Sequence, residues 1–183
     1  MRRHIFLGLL YLLLPQPMVL AQFVQIQGGG SYSTIQSAIN AASNGQTIIV
    51  HPAAYRERIN FQGKNVVVRS LDPLNAETVD DTTIDAQSQG SAVTFSSGET
   101  AAAVLEGFTI INGAAANGAG VSCIGGSSPT IRHYVIRANL ASVNGGGIYV
   151  SGSSSPTVTA NQITGNRCQG RGAGLYVDNS GPI

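Results

Sequence analysis

The chain has 183 residues, of which only 10% are charged, and its formal net charge is +1. It contains 23 glycines and no tryptophan. The near-zero charge argues against a nucleic-acid or anionic-membrane partner, and the many β-branched residues argue against disorder. The composition indicates instead a fold made of short strands and tight turns.

The N-terminal segment 1–21 has the layout of a secretory signal peptide. Arg2 and Arg3 precede a ten-residue apolar run at 5–14, and Ala21 is a small residue before a cleavage point at Gln22. A membrane anchor is the alternative, but ten residues are too few to span about 30 Å of hydrocarbon. We therefore expect a secreted protein, extracellular or at the cell surface, with no membrane association after cleavage. Residues 22–183, with eight basic and nine acidic residues, form the predicted mature domain.

One helix is predicted near the start of this domain. Ser33 and Gln36 have the spacing of a capping box, with Ser33 as the N-cap. Asn44-Gly45 is the predicted left-handed stop at the C-terminus of the helix. The apolar residues between them form one stripe, which must cover another element. This stripe consists of Ile35, Ala38, Ile39 and Ala42.

The following residues have the pattern of short strands separated by turns. The β-branched runs lie at 47–50, 59–61, 65–69, 82–85, 92–95 and 104–111. Residues 71–81 form the one long connection, with Pro73 and three acidic residues, and we interpret it as a protruding loop. No second helix is predicted, which argues against a βαβ architecture.

A repeat with a constant period of twenty-seven dominates the last third of the chain. A glycine-rich corner at 118–121 returns at 145–148 and 172–175, and Ser-Ser-Pro-Thr at 127–130 returns at 154–157. Asparagines keep the same interval, at Asn112, Asn139 and Asn166. A fixed period indicates one supersecondary unit that is copied and stacked.

Each repeat unit holds about three short strands and cannot bury a core alone. Stacked in parallel, successive units would enclose one apolar column, so the sequence predicts an all-β fold, a parallel β-helix. Ile148 and Val150 are expected to point inward and Tyr149 outward, and equivalent asparagines can hydrogen-bond along the stack. A β-propeller is the alternative, but its blades need about 40 or more residues.

The sequence resembles the pectin-lyase-like superfamily. Residues 32–39, followed by 47–50, Pro52, 55–57 and 63–65, are similar to the opening of its members, especially pectinesterases. The Gly-Gly-Gly-Ile-Tyr and Ser-Ser-Pro-Thr repeats resemble its bacterial right-handed β-helix repeat proteins. The resemblance implies a right-handed parallel β-helix (solenoid) with an N-terminal capping α-helix, and parallel crossovers favour the same hand.

The resemblance implies a fold but not an active site. The aspartate, arginine and glutamine motifs of pectinesterases are not found in the sequence, and neither are the arginine and aspartate clusters of pectate lyases. Catalytic residues therefore stay unknown. No cofactor is expected, and Ca²⁺ would be needed only if the chain were a lyase.

A few titratable residues are candidates for catalytic groups. Asp80, Asp81 and Asp85 could act as acid and base on a glycosidic bond or hold Ca²⁺. Sequence neighbours on a loop rarely face each other across a substrate, so we interpret them as a solvated acidic loop. His51 and His133 could be general bases, but neither has a companion nucleophile or carboxylate at a matching repeat position. No metal site is predicted.

The other charged residues and the cysteines have simple interpretations. The charge run at 56–58, Lys64 and Arg69 are expected to decorate turns and pair locally, with contact to an acidic sugar as the alternative. Cys123 and Cys168 occupy different places in the repeat, so two thiols are favoured over a disulfide. Two cysteines are also too few for a zinc site.

Tyr149 and Tyr176 are the candidate binding residues. They occupy the same place in successive repeats and are both predicted to face outward, so their rings should lie one coil above the other. Such a pair could stack against sugar rings. The alternative is an aromatic ladder that only supports the sheet, because Ser122 holds the equivalent position one coil earlier.

The chain stops within a repeat. Pro182 falls close to one full period after Pro156, where another Ser-Ser-Pro turn should form. We interpret residues 22–183 as a single domain that is truncated at its C-terminus. The alternative is an end covered by another chain, because an uncapped solenoid invites end-to-end association.

The leading functional hypothesis is a secreted surface or carbohydrate-associated scaffold without a complete active site, with polysaccharide as its partner. One rival is the N-terminal part of a polysaccharide-active enzyme, similar to a pectate lyase or a pectinesterase. A second rival is a passenger segment of an adhesin.

Overall fold

The fold is that of a computed structural model, which describes residues 23–178. The predicted signal peptide at 1–21 and the broken repeat at Pro182 lie outside the described residues. Among residues 23–178, neither helix has the length and hydropathy that a membrane span needs.

Twenty short strands and two helices form this part of the chain. The helices are α1 (Ile35–Ala41) and α2 (Ala76–Asp81). The strands are β1 (Val24–Ile26), β2 (Ser31–Tyr32), β3 (Thr47–Val50), β4 (Ala53–Tyr55), β5 (Ile59–Asn60), β6 (Val67–Ser70), β7 (Thr82–Asp85), β8 (Val93–Phe95), β9 (Val104–Glu106), β10 (Thr109–Ile111), β11 (Ala114–Asn117), β12 (Val121–Cys123), β13 (Thr130–Arg132), β14 (Val135–Arg137), β15 (Leu140–Asn144), β16 (Ile148–Ser151), β17 (Thr157–Thr159), β18 (Gln162–Thr164), β19 (Arg167–Cys168) and β20 (Leu175–Asp178).

The strands form four sheets that run along the stack. Sheet A has the order β17-β13-β9-β6-β3-β1-β2, sheet B β18-β14-β10-β7-β4, sheet C β20-β16-β12-β8-β5 and sheet D β11-β15-β19. From β3 to β17 the neighbours in sheet A are parallel, so the chain makes five coils. The architecture is the predicted all-β, right-handed parallel β-helix.

The core is a column of apolar side chains, aliphatic and aromatic, that the successive coils contribute at their inward positions. Ile84, Ile110 and Ile136 pair in register on three successive coils, and all three are buried. Burying such a side chain contributes roughly 1.5–3 kcal/mol. The predicted alternation in β16 is confirmed, because Ile148 and Val150 are buried and Tyr149 is half-buried.

One coil is a single residue shorter than the repeat predicts. Val121 pairs with Ile148 at the full repeat interval, whereas Thr109 pairs with Val135 at an interval one shorter. The missing residue is recovered within sheet D, where the register of β11 against β15 shifts between Ala115 and Asn117. This irregularity is a β-bulge in β15, which holds one more residue than its partner.

The asparagine ladder is confirmed for two of its three predicted members. Asn139 Nδ2 donates to Asn166 Oδ1 at 2.9 Å, and Asn139 Oδ1 accepts from the backbone N–H of Gly113 at 2.8 Å. The prediction for Asn112 is wrong, because the shorter coil places Gly113 at the ladder position. Asn112 instead takes a left-handed φ of 55° and donates to Asp85 Oδ1.

Helix α1 covers the N-terminal end of the stack, as predicted, but its caps differ from those predicted. Thr34 is the N-cap and accepts from the Ser37 N–H, because the backbone of Thr34 is extended; Ser33 lies one residue outside. The helix ends before Ala42, which is again extended. Gly45, with φ of 84°, belongs to the turn into β3 rather than to a helix stop.

Charged side chains from the first coils hold both ends of α1. Glu57 accepts from the N–H groups of Ile35 at 2.7 Å and Gln36 at 2.9 Å. Lys64 Nζ donates to three carbonyl groups at the other end, those of Ile39, Asn40 and Ala42. An anion at the N-terminus and a cation at the C-terminus of a helix complement its dipole. The interpretation of these two charges as turn decoration is therefore wrong.

The 71–81 connection is partly helical, which corrects the prediction of an irregular loop. The Asn75 side chain accepts from the Thr78 N–H and begins α2, and Val79 is buried under the helix. Six residues, fewer than two turns, are too few to show a clear helical periodicity, so the sequence pattern did not reveal this helix. The predicted 104–111 strand is also divided, into β9 and β10, by a turn at Gly107 with φ of 80°.

A buried carboxylate closes one corner of the coils. Glu99 is fully buried and accepts from Ser127 Oγ at 2.6 Å, from the Ser97 N–H at 3.0 Å and from the Gly63 N–H at 2.8 Å. Burial alone raises the pKa of this carboxyl, but these hydrogen bonds outweigh it and hold the pKa below its ordinary value. The Ser127 N–H in turn donates to Ser154 Oγ, so the corner continues along the stack.

Asn139→Ala should destabilise the fold by about 2–3 kcal/mol, because it leaves the Gly113 N–H and the Ile110 carbonyl group buried without partners. Asn112→Gly is the matched control, since glycine suits the left-handed φ at that position, and its effect should stay within about 0.5 kcal/mol. The measurement is urea unfolding of the two variants. Equal midpoints would contradict the ladder.

Glu99→Gln should be less stable than the wild type near neutral pH, and the difference should narrow as the pH falls. The folded-state pKa of Glu99 lies below the ordinary 4.5, so its stabilisation is present above the unfolded-state pKa and is lost as the pH falls through the folded-state pKa. Urea unfolding between about pH 7 and about pH 3 measures this change.

Glu57→Gln is the matched control with the opposite sign. Burial raises the pKa of Glu57 more than the N–H groups of Gln36 and Ile35 lower it. The wild type should therefore gain stability relative to this variant as the pH falls. Parallel pH dependences of the two variants would contradict the assignment for Glu99.

Candidate functional site

A groove with a volume of about 600 Å³ runs beside α2. We call it the α2 groove; its lining residues come from segments 73–80, 133–135 and 160–162. The first segment is the connection before β7, and the other two are the turns between sheets A and B on successive coils. The repeat therefore supplies two walls, and the 71–81 connection supplies the third.

Gly107 lets the 71–81 connection fold back onto the stack. A Cβ at this position would collide with the Pro73 ring and with Ser70 Oγ, and the φ of 80° also favours glycine. Pro73 is accordingly buried, while the next residue, Leu74, is 78% exposed at the rim of the α2 groove.

Three charged residues form a row across sheet A next to the α2 groove. Arg69, Glu106 and Arg132 occupy one register position on β6, β9 and β13. Arg132 Nε donates to Glu106 Oε2, and Arg69 Nε lies 3.8 Å from Glu106 Oε1. Glu106 and Arg132 were missed by sequence reasoning. They could have been found from the alternation of positive, negative and positive charge at one equivalent position of three successive strands.

Tyr134 forms the inner wall of the α2 groove. It is 2% exposed, and its ring stacks on Phe108 of the preceding coil with a centroid distance of 6.0 Å. Burial raises its pKa well above the ordinary value; the Glu106 charge adds to this effect and Arg132 opposes it. The hydroxyl group therefore stays protonated and can donate a hydrogen bond at any physiological pH.

The predicted tyrosine pair, Tyr149 and Tyr176, lies on the outer face of sheet C. The two residues pair in register on β16 and β20, and their rings are parallel, with centroids 5.8 Å apart and an interplanar angle of 9°. Ser122 pairs with Tyr149 on the other side, so a small residue ends the stack. The geometry is that of a short aromatic ladder along the coils. Its role in binding stays a prediction.

The predicted acidic residues are not gathered into one site. Asp80 lines the α2 groove, and Asp81 ends α2. Asp85 lies on β7, where it accepts from Asn112 Nδ2 and from the Gln87 N–H, both at 2.9 Å. Within residues 23–178, no group of three or more His, Cys, Asp or Glu side chains is placed to hold a metal ion.

The two candidate histidines, His51 and His133, have different surroundings. The His51 ring packs edge-on against Phe23 with a centroid distance of 4.7 Å, at the N-terminal end of the stack. His133 lines the α2 groove and has a left-handed φ of 59°. The structure thus brings His133 and Asp80 to the same groove, although they lie far apart in the sequence.

Both cysteines are free thiols, as favoured from the sequence. Cys123 is fully buried in β12, where burial, with the Glu99 charge adding to it, raises the pKa of its thiol far above the ordinary value. Such a group is neither a nucleophile nor a metal ligand. Cys168 lies on β19 of sheet D and is partly exposed.

Comparison with known proteins matches the described architecture. A family model for the right-handed β-helix region matches residues 72–183, which is more than half of the chain. Searches of curated proteins and of solved structures each found no match. The match begins at the connection that carries α2 and includes the tyrosine pair and all three walls of the α2 groove.

Proposed function

The chain belongs to the right-handed β-helix family, and from this premise we propose that it is a secreted scaffold that associates with polysaccharide. A β-helix presents flat parallel faces on which outward side chains repeat at about 4.8 Å, the strand spacing. Such a surface suits a partner that is itself extended and repetitive. Secretion rests on the signal-peptide pattern of segment 1–21.

The observation that carries this proposal is the tyrosine pair. Its rings are parallel at 5.8 Å and lie on an outer face of the solenoid. Both side chains are partly exposed, so they offer ring surface to a partner. The C–H faces of a sugar ring pack against an aromatic face much as a second aromatic ring does. A sugar ring packed on this exposed surface would extend the aromatic row.

The positions of the acidic side chains support a scaffold rather than a complete glycosidase. Hydrolysis of a glycosidic bond uses two carboxyl groups about 5–9 Å apart on opposite sides of the bond. Asp85 is instead engaged by Asn112 and Gln87 on the face of sheet B. Asp80 and Asp81 are neighbours at the end of α2.

One observation favours the second candidate function, the N-terminal part of a polysaccharide-active enzyme of the pectin-lyase-like superfamily. A carboxylate, Asp80, and an imidazole, His133, line the same α2 groove. These are the group types that act as general acid and base. Release of unsaturated or de-esterified products from pectin by the full chain, with or without Ca²⁺, would favour this candidate over the scaffold.

The paired substitution Tyr149→Ala and Tyr176→Ala should weaken polysaccharide binding about tenfold, which corresponds to about 1.4 kcal/mol. Affinity is lost because the double substitution removes both aromatic rings on which a sugar ring could pack. The measurement is isothermal titration of the full chain with soluble plant and bacterial polysaccharides.

Tyr149→Phe with Tyr176→Phe is the matched control, since it keeps the rings and removes only the hydroxyl groups. Its affinity should stay within about twofold of the wild type. Binding that survives the alanine pair would contradict a role for the tyrosine pair. If no polysaccharide binds the wild type, the proposed function is wrong.

A further inference from the structure

Unpaired polar atoms concentrate at one corner of the solenoid. Among residues 23–178, four buried side-chain atoms have no hydrogen-bond partner: Arg69 Nε, Ser70 Oγ, His133 Nδ1 and Tyr134 Oη. Arg69 and Ser70 end β6, and His133 and Tyr134 follow β13 in the same sheet. Each buried group without a partner costs roughly 1–3 kcal/mol, so such a concentration points to a ligand that satisfies them.

Three of these four residues, Arg69, His133 and Tyr134, border one continuous depression. His133 and Tyr134 line the α2 groove, and His133 and Arg69 line an adjoining hollow of about 340 Å³. Pro73 and Leu74 border both. Because Leu74 is 78% exposed, swinging its side chain aside costs little buried apolar area and widens the way to the inner wall.

The charges of the adjoining hollow cancel. The two arginines of the adjoining hollow, Arg69 and Arg132, face two carboxylates, Glu106 and Asp72. Glu106 accepts the hydrogen bond of Arg132 and also lies 3.8 Å from Arg69 Nε, and Asp72 borders the same hollow, so the two arginines are matched by two carboxylates. Asp80 adds a further negative charge to the α2 groove. The carboxylate of an acidic sugar would be repelled by Asp80, and among the described residues that line the depression no unmatched cation would offset this repulsion.

The lining of the α2 groove combines apolar surface with groups that bind hydroxyl groups. Leu74, Val79 and Val135 offer apolar contact, while Asp80 and Gln162 offer a carboxylate and an amide. Tyr134 Oη remains protonated and can donate, and His133 Nδ1 can donate or accept. Neutral sugars need this combination, since their C–H faces are apolar and their edges carry hydroxyl groups.

We propose that the α2 groove binds a neutral sugar unit of a polysaccharide, with sugar hydroxyl groups hydrogen-bonded to Tyr134, His133 and Asp80 and a C–H face packed on Leu74. This inference rests on the proposed function and adds a second binding position to the tyrosine pair. The repeat builds the inner wall, and the 71–81 connection supplies the specificity.

Titration of the full chain with xylohexaose, cellohexaose and mannohexaose tests the proposal, with hexagalacturonate as the acidic comparison. At least one neutral hexasaccharide should bind more tightly than hexagalacturonate. Tyr134→Phe should weaken its binding about tenfold, because one hydroxyl is lost. The same variant should melt no lower than the wild type, since the substitution keeps the ring on Phe108 and removes an unpaired buried group.

Leu74→Ser is the second variant and should also weaken binding several-fold. Its matched control is Leu140→Ser, which removes a leucine that is 51% exposed on β15, outside the α2 groove, and should leave affinity unchanged. If Tyr134→Phe and the wild type bind the neutral hexasaccharide with equal affinity, the Tyr134 hydroxyl group makes no hydrogen bond to the sugar, and the proposal is overturned.

Other outcomes separate the two proposals. Preference for hexagalacturonate would overturn the assignment of a neutral sugar. Binding that is lost in the alanine variant of the tyrosine pair but kept in both groove variants would overturn this inference and leave the proposed function standing. Failure of the wild type to bind any saccharide would overturn both.

Discussion

The constraint on which the structure depends is the parallel register of successive coils. Equivalent strands of successive coils hydrogen-bond to each other in parallel, so every inward position must be apolar in each coil and every corner must turn in the same place. Ile84, Ile110 and Ile136 meet the first requirement in sheet B. The asparagine ladder and the Glu99 corner meet the second, because they give polar partners to buried backbone groups at the turns. The outer faces are then free to vary.

Function would lie in that outer variation. The tyrosine pair arises because two successive coils carry tyrosine at one outward position. The row of Arg69, Glu106 and Arg132 arises in the same way in sheet A. The α2 groove needs one further element, a connection that leaves the repeat after β6 and returns before β7, and Gly107 provides the space in which it packs. A regular scaffold with one irregular insertion thus places its most complex surface where the insertion meets the repeat.

Much of this fold could be predicted from the sequence, because a β-helix depends on short-range periodicity. The inward positions of Ile148 and Val150 follow from alternation alone, and the equivalence of Tyr149 and Tyr176 follows from the constant period. The predictions were wrong where the repeat period changes and where a helix, α2, is too short to show a helical periodicity. Asn112 was placed one position off because its coil is one residue short, and α2 has only six residues, fewer than two turns. Glu57 and Lys64 reach α1 from beyond β3, and no local pattern reveals such contacts. The α2 groove was missed for the same reason: Asp80 and His133 were each considered alone, and only the coil register brings them together.

The bulge in β15 has a consequence for how such a chain can change length. In a solenoid, one residue lost from a coil would shift every later side chain to the opposite face. Here the interval between Thr109 and Val135 is one residue short, but the full repeat interval is restored before Ile148 pairs with Val121. The register of the later strands is therefore unchanged. Sheet D therefore absorbs the difference in coil length, and the next strands, β12 and β16 of sheet C, pair in register again. A coil one residue shorter than its neighbour is thereby accommodated in the stack without displacing the inward positions of the following face.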